Sequence, residues 1–234
     1  MIGLDVLIPN ESDNRFYGVS VGVVTNNKDP EGLGRVKVKF PWLSVEDESD
    51  WARIATLMAG GDRGIYFIPE IDDEVLVAFE HGNIAFPYVL GTLWNGKDKP
   101  PSTNDDGKNN RRLIKSRSGH QIILDDTEGE EKIIIEDKTG KNKITIDSKN
   151  NALTVEVEKD LTIKTKGKIS IDSDDDVAIN CKNLAIKTKE NLDINSGKNC
   201  AIAAGAKSEL KSASGMAINC SAGIKLNNGN LEVM

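Results

Sequence analysis

The residues that could do chemistry in this chain are few and scattered. The segment GVSVG at 18–22 matches the GxSxG pattern that exposes a nucleophilic serine at a strand-turn-helix junction. Here the pattern sits inside an alternating stretch typical of a strand. The two histidines, His81 and His120, are the bases that a Ser-His-Asp site would need, and no motif links either to a particular serine. We therefore predict no catalytic residue and no enzyme activity.

Candidate metal ligands are equally sparse. Asp172, Asp174 and Asp176 imitate the first positions of a calcium loop, but Val177 stands where that loop needs glycine and Asn183 where it needs glutamate. We expect a solvated acidic corner there, and no metal or cofactor. Three cysteines spaced nearly twenty residues apart fit neither a disulfide framework nor a metal knuckle. We expect them to be buried free thiols: Cys181, Cys200 and Cys220.

Composition limits the class of protein. The chain has 234 residues, of which 38% are hydrophobic and 29% charged, and its net charge is -7. These values are typical of a folded protein of one or two domains. No apolar stretch approaches the roughly 18 residues of a membrane-spanning helix. The first residues, MIGLDVLIPNESD, lack the features of a secretory signal, so we expect neither a signal peptide nor a transmembrane segment.

The chain changes character near residue 100. All eleven aromatic residues lie between Phe16 and Trp94, and all seven prolines lie at or before Pro101. The segment KDKPPSTNDDGKNN at 97–110 has the composition of a linker. We therefore predict four parts, listed in order: an N-terminal extension at 1–14, a barrel domain at 15–96, a linker and neck at 97–143, and a repeat region at 144–234.

The barrel domain alternates as strands do. Five such stretches are separated by Gly, Pro and Asp turns: 17–25, 34–40, 51–57, 73–80 and 87–94. Five short strands in about 80 residues predict a small antiparallel barrel, with the five-stranded Greek-key barrel as the leading candidate.

The repeat region has a period of eight residues, interrupted by two steps of seven. Each octad carries three alternating columns of residues. The first column holds Leu153, Leu161, Ile169, Val177, Leu184, Leu192, Cys200, Ser208, Met216, Ile224 and Leu231. The second is aliphatic throughout: Val155, Ile163, Ile171, Ile179, Ile186, Ile194, Ile202, Leu210, Ile218, Leu226 and Val233. The third, two residues further on, holds mainly small side chains.

Alternation by two places these columns on one side of a strand and leaves about three residues for a corner. A single octad cannot bury its apolar face, so the octads must stack into a β-prism. Two architectures satisfy the pattern: one chain winding three octads into each coil, or three identical chains intertwined. A narrow threefold axis favours medium aliphatic and small side chains and excludes aromatics, which is the composition found. We take the second column as the core of a homotrimer.

The pairs upstream of the octads recur every eleven residues, and the longer spacing predicts wider loops or hairpins at the neck. These pairs are Ile122/Leu124, Ile133/Ile135 and Ile144/Ile146.

Composition also bears on two alternative functions. A nucleic-acid-binding barrel needs a basic groove with aromatic platforms, but residues 141–234 hold 14 lysines against 12 acidic residues and the rest of the chain is acidic. We expect no nucleic-acid partner. The remaining alternative is a glycan-binding or glycan-cleaving β-helix fibre. The absence of aromatic sugar platforms after Trp94 argues against it.

The barrel carries a recognisable signature. It comprises DPEGLGRVKVKFPW (29–42), WARIAT (51–56), GIYFIPEIDDEVLVAFEHGNIAFPYVLGTLWNG (64–96) and the neck segment RSGHQIILDD (117–126). Together these resemble the OB-fold domain of central spike proteins in contractile injection systems. That group includes phage baseplate assembly protein V, the VgrG family of type VI secretion, and the spikes of R-type pyocins and extracellular injection systems. The resemblance implies an all-β chain, with an N-terminal five-stranded OB-fold barrel followed by an intertwined triple-stranded β-helix, a homotrimeric β-prism.

The resemblance also implies a function and partners. Such a spike is a rigid needle below the inner tube that pierces a target envelope when the sheath contracts, contacting the membrane transiently. Only about 15 residues precede the barrel, which implies a separate hub protein at the OB-fold end. The end of the chain has no histidine motif for an iron site, which implies a PAAR-type tip protein in contact with Leu231, Val233 and Met234. We expect assembly in the cytoplasm, with inner tube and baseplate proteins as further partners in the particle.

Overall fold

The computed structural model describes residues 15–44 and 47–223. The chain divides into two units, Met1–Lys164 and Thr165–Met234. The regular secondary structure of the described residues is β, apart from one short 3-10 turn at Glu80–Gly82. The all-β prediction is confirmed. The predicted extension at 1–14 and the last core and tip residues lie outside the described residues: Leu226, Leu231, Val233 and Met234.

Five strands of the first unit form one curled sheet. They are β1 Val19–Asn26, β2 Lys37–Lys39, β3 Arg53–Ile54, β6 Glu74–Phe79 and β7 Pro87–Thr92. Their order is β2-β1-β6-β7-β3, and the pairings are antiparallel except the parallel one between β3 and β7. The two edge strands are brought together by an antiparallel bridge between Val36 and Ala52. The curled five-stranded sheet is consistent with an OB-fold.

Alternating side chains from these strands fill the barrel. In β1 the inward positions are Ser20, Gly22 and Val24, whereas Val19 and Val21 are exposed. At Gly22 a Cβ would lie 3.2 Å from the ring of Phe40, closer than ordinary van der Waals contact, so the ring packs directly over this backbone. The buried apolar core consists of Val24, Val36, Val38, Phe40, Ala52, Val75, Val77, Phe79 and Val89. Its β-branched residues suit a pleated, half-buried surface.

A small hairpin interrupts the barrel between β3 and β6. It consists of β4, Ala59–Gly60, and β5, Arg63–Gly64. Gly64 has a φ of +151°, and a Cβ at this position would lie 2.6 Å from the carbonyl oxygen of Met58. Only glycine fits this backbone without a shift, since the obstructing atom belongs to the main chain.

A second sheet follows the linker, and we call it the neck sheet. It is an antiparallel meander of β8 Arg111–Lys115, β9 Gln121–Asp125, β10 Lys132–Glu136, β11 Lys143–Asp147 and β12 Ala152–Glu156. The eleven-residue spacing seen in the sequence corresponds to successive strands of this meander. The first octad pair, Leu153 and Val155, lies in β12.

The second unit runs in extended segments between regularly spaced bends. Bends occur at 166–167, 174–175, 182, 189–190, 197–198, 205–206 and 213–214, with a turn at 221–222. Between Thr165 and Gly223 no strand pairing is formed, so the described part of this unit does not coil on itself. The segments between bends coincide with the positions where the octad period predicts strands.

Candidate assembly interface

The second column of the octads is solvent-exposed in the single chain. Its described members, from Val155 to Ile218, are between 48% and 83% exposed. Each occupies an extended segment, two residues after an exposed first-column residue such as Leu161 or Ile169. Exposed aliphatic side chains that recur so regularly are typical of an interaction surface.

The bends keep the columns in register. Each bend falls immediately after a third-column residue, as at 166–167 after Thr165 and at 174–175 after Ser173. The seven-residue step after Cys181 removes one residue from the corner at 182–183 and leaves the extended segments intact. A one-residue change inside a strand would exchange the two faces, so the corner is where the octad can be shortened.

The neck sheet presents a second exposed apolar face. Cross-strand register aligns two rows of side chains on this face, and each apolar member is 41% to 68% exposed. One row is Ile114, Ile122, Ile135, Ile144 and Val155, and the other is Leu124, Ile133, Ile146 and Leu153. Only Val155 of this face is predicted as core from the sequence. The eleven-residue recurrence is the signal for the three pairs from Ile122 to Ile146.

The opposite face of the neck sheet is polar at its margins. Ile123 lies at its centre and is only 3% exposed. Charged side chains pair across neighbouring strands around it, and the closest pair joins Lys143 Nζ to Glu156 Oε2 at 2.8 Å. The hydrogen bond from Lys143 to Glu156 raises the pKa of the lysine. The neck sheet is therefore amphipathic: one face carries paired charges, and the other is apolar and is not covered by any described residue.

The residues considered for catalysis are not assembled into a site. Ser20 is buried in β1, and its Oγ accepts a hydrogen bond from Trp42 Nε1 at 2.5 Å. His81 lies in the 3-10 turn. His120 lies in the neck, where its Nδ1 accepts the backbone N–H of Lys138 at 3.2 Å. Among the described residues, no hydrogen bond joins Ser20 to either histidine.

The candidate metal ligands are not brought together either. Within residues 15–44 and 47–223, no group of three or more His, Cys, Asp and Glu side chains is placed to hold a metal ion. The three cysteines are free but exposed, so the expectation that they are buried is wrong for the single chain. Each belongs to an octad column, and no other part of the described chain covers those columns. No helix within the described ranges is long and apolar enough to cross a membrane.

Comparison with known proteins identifies the barrel. Residues 20–94 match the family described as the type VI secretion system/phage-baseplate injector OB domain. The match spans the five barrel strands and the hairpin between them.

Similar proteins extend the match beyond the barrel. The type VI secretion system spike protein VgrG2a of Pseudomonas aeruginosa is 32% identical over 105 residues, covering 42% of this chain and 12% of that protein. Spike protein VgrG3 of Vibrio cholerae is 31% identical over 110 residues, covering 44% and 11%. Spike protein VgrG1a of P. aeruginosa is 29% identical over 144 residues, covering 54% and 22%. The chain thus spans less than a quarter of the length of each relative. The predicted resemblance to spike proteins is confirmed.

Proposed function

Because residues 20–94 match the OB-domain family of the type VI secretion system and phage-baseplate injector, we propose that this chain is the central spike of a contractile injection machine. In this proposal three copies intertwine through their octads into a triple-stranded β-helix. The spike has a mechanical role rather than an enzymatic one. Its rod lies below the inner tube and is driven through the target envelope when the sheath contracts.

The main support for the proposed trimer is the exposure of the second column. An aliphatic residue recurs in every octad, and the described members stay exposed because the chain does not cover them. Burying one such side chain stabilises a protein by roughly 1.5–3 kcal/mol, so a column of this length is a strong driving force for association. A threefold axis buries the column by bringing the same residue together from three copies.

The neck sheet supports the same arrangement. Its apolar face includes the first octad, because Leu153 and Val155 belong both to β12 and to the octad columns. Three neck sheets facing one axis would cover each other's apolar rows. The barrel domains would then lie before the neck and the octads after it in each copy.

The mechanical role follows from the dimensions and closure of such a rod. Eleven octads, each advancing about 4.8 Å along the axis, give a rod on the order of 50 Å. Closing the prism provides every strand edge with a partner, which makes the rod rigid and hard to unfold. A rigid rod transmits the force of sheath contraction without buckling.

The partners of the spike are part of the proposal. We place a separate hub protein at the OB-fold end and a PAAR-type tip protein at the other end, with inner tube and baseplate proteins around them. The spike would be assembled in the cytoplasm and then carried in the particle. The supporting observations are the OB-domain match and the similarity to secretion-system spike proteins.

The molar mass in solution tests the trimer. Light scattering on a sizing column should give three times the 25.4 kDa of one chain. Ile179→Asp would bring three carboxylates to the axis, where unpaired buried charges strongly destabilise, so trimers should be lost.

Ala178→Asp is the matched control for this test. It adds the same charge one residue away, on the outward side of the same extended segment. We expect this variant to remain trimeric. A monomeric wild-type chain at micromolar concentration, or an Ile179→Asp variant as trimeric and stable as the control, would contradict the proposal.

A further inference from the structure

Charge alternates between consecutive octads at the start of the rod. Counting the first-column residue as position one, the same three positions, four, six and eight, are charged in three successive octads. They are acidic in the first octad, basic in the second and acidic in the third: Glu156, Glu158 and Asp160, then Lys164, Lys166 and Lys168, then Asp172, Asp174 and Asp176. Later octads do not repeat the pattern.

The structure places the lysine and aspartate sets on the solvent side and at the corners. Lys164 and Asp172 lie in extended segments next to second-column residues, and Lys166 and Asp174 each begin a bend. All six side chains are exposed, and within the described residues none of them forms an ion pair. Within residues 15–44 and 47–223, these charges therefore have no ionic partner.

An intertwined trimer determines which octads become neighbours, and this step rests on the proposed function. The proposed prism has three walls, each built of stacked octad strands. Each corner carries the chain to the next wall, so a chain returns to the same wall after three octads. The two strands between those visits come from the other two copies. By threefold symmetry, each octad then lies beside the next octad of a different copy, in parallel and in register.

We propose that the lysine and aspartate octads form a charge lock between neighbouring copies of this chain. The lock pairs Lys164 with Asp172 of the partner subunit, Lys166 with Asp174 of the partner subunit, and Lys168 with Asp176 of the partner subunit. Opposite charges directly across neighbouring strands stabilise the pairing of those strands, and like charges oppose it. The lock fixes the stagger at which the three chains begin to wind.

The neck sheet already shows this pairing between strands of one chain. Glu136, Lys143 and Glu156 lie opposite one another in register across β10, β11 and β12. Lys143 Nζ lies 2.8 Å from Glu156 Oε2. Two residues beyond these strand ends, Lys141 Nζ lies 2.9 Å from Glu158 Oε1. The sign of the charge thus alternates from strand to strand up to the first octad, and the lock continues that alternation.

The pattern fits the intertwined trimer and not a single-chain coil. With three octads per coil, each octad lies beside the third one after it in the same chain. Lys164 would then lie next to Lys187, and Lys166 next to Lys189. These like charges would disfavour that winding. A stack of identical octads from three copies would likewise place lysine against lysine.

Charge reversal tests whether ion pairs between neighbouring copies stabilise the trimer. In Lys164→Glu/Lys166→Glu/Lys168→Glu, acidic side chains would face acidic octads on both sides. We expect the yield of trimer after dilution from denaturant to fall by about tenfold or more at low salt and to recover at high salt, where repulsion is screened. The wild type should show the opposite salt dependence.

A control with the same number of reversed lysines is Lys187→Glu/Lys189→Glu/Lys211→Glu. None of these positions faces an acidic residue in the neighbouring octads of the proposed rod. Its trimer yield should stay close to that of the wild type at every salt concentration. If both triple variants lost trimer equally, or if high salt did not rescue the first, the lock would be wrong.

Paired cysteines test the register itself. In a background with Cys181, Cys200 and Cys220 changed to alanine, Lys166→Cys/Asp174→Cys should give covalent trimers on a non-reducing gel. Neighbouring strands lie about 4.8 Å apart, within disulfide reach. Lys166→Cys/Lys189→Cys should not cross-link, since in the trimer these residues are about 14 Å apart.

The outcomes separate this inference from the proposed function. A chain that is trimeric by light scattering but does not cross-link at 166 and 174 would overturn the lock and leave the spike intact. A monomer whose 166 and 189 cysteines cross-link within one chain would be a single-chain coil and would overturn both.

Discussion

Asp29 organises the loop between β1 and β2. Its carboxylate accepts the backbone N–H groups of Glu31, Leu33 and Arg35, and it pairs with the Arg35 guanidinium through Nε at 2.9 Å and Nη2 at 2.8 Å. The side chain is only 3% exposed. The hydrogen bonds from Arg35, followed by those from the backbone, hold the pKa of Asp29 well below its usual range. One carboxylate thus holds the two ends of the DPEGLGR segment together.

Asp29→Asn should destabilise the barrel in a pH-dependent way. A carboxyl group whose pKa is lowered by folding contributes stability above its unfolded pKa, and that contribution is lost as pH falls through the folded pKa. We expect the variant to unfold about 5 °C below the wild type at pH 7, with the difference shrinking below about pH 4. Tryptophan fluorescence measures this transition, because Trp42, Trp51 and Trp94 all belong to the first part of the chain.

Glu31→Gln is the control for this measurement. Glu31 lies in the same loop, 3.3 Å from Arg35, but its side chain is 66% exposed. An exposed ion pair contributes little to stability, so this variant should follow the wild type at every pH. Equal destabilisation by the two variants would mean that the buried geometry of Asp29 is not what holds the loop.

At the scale of elements, the octad consists of a strand portion and a corner, which should differ in how well they tolerate an inserted residue. The strand carries the columns, and its length sets which side chains face the axis. The corner after Cys181 has two residues, Lys182 and Asn183, where the other described corners have three. The extended segments on either side keep the same pattern.

Insertions should therefore be tolerated in that corner and not in the strand beside it. A serine inserted between Lys182 and Asn183 restores the eight-residue step, and we expect trimers of unchanged thermal stability. The same serine inserted after Leu184 would turn Ile186 outward and Lys187 inward, so trimers should be lost. Light scattering of the two proteins checks this, and loss of trimer in both would show that corner length also matters.

At the scale of the whole molecule, the proposed rod is completed by three chains rather than by one. The described octads make no strand pairs with each other, and their apolar columns are exposed. Folding of the rod and association of the copies are therefore one process in the proposed spike.

Refolding of the rod should then depend on protein concentration. We expect the half-time for recovery of β circular dichroism, after dilution from denaturant, to shorten by roughly an order of magnitude for a tenfold higher concentration, because the chains must meet. Recovery of tryptophan fluorescence in the barrel should depend on concentration much less. A rod signal that recovers at the same rate at all concentrations would indicate a single-chain coil.

Much of this fold could be predicted from the sequence, because strands and corners depend on residues that are close together in the chain. The octad period placed the corners where the structure has its bends, because alternation and corner residues are properties of a few neighbouring side chains. The five barrel strands were found from the same alternation. The apolar face of the neck was only partly anticipated, because its two rows join residues from five strands whose pairing is not local.

The sequence by itself determined the approximate positions of the barrel strands along the chain, the octad columns and the signature of the barrel. Only the tertiary structure decided which side of each strand is buried. In β1 the valines at 19 and 21 look like the core face, yet Ser20, Gly22 and Val24 point inward. The parallel pairing of β3 with β7 likewise became visible only in the fold. The physical reason is that alternation defines two faces, whereas burial depends on what packs against each face from distant parts of the chain.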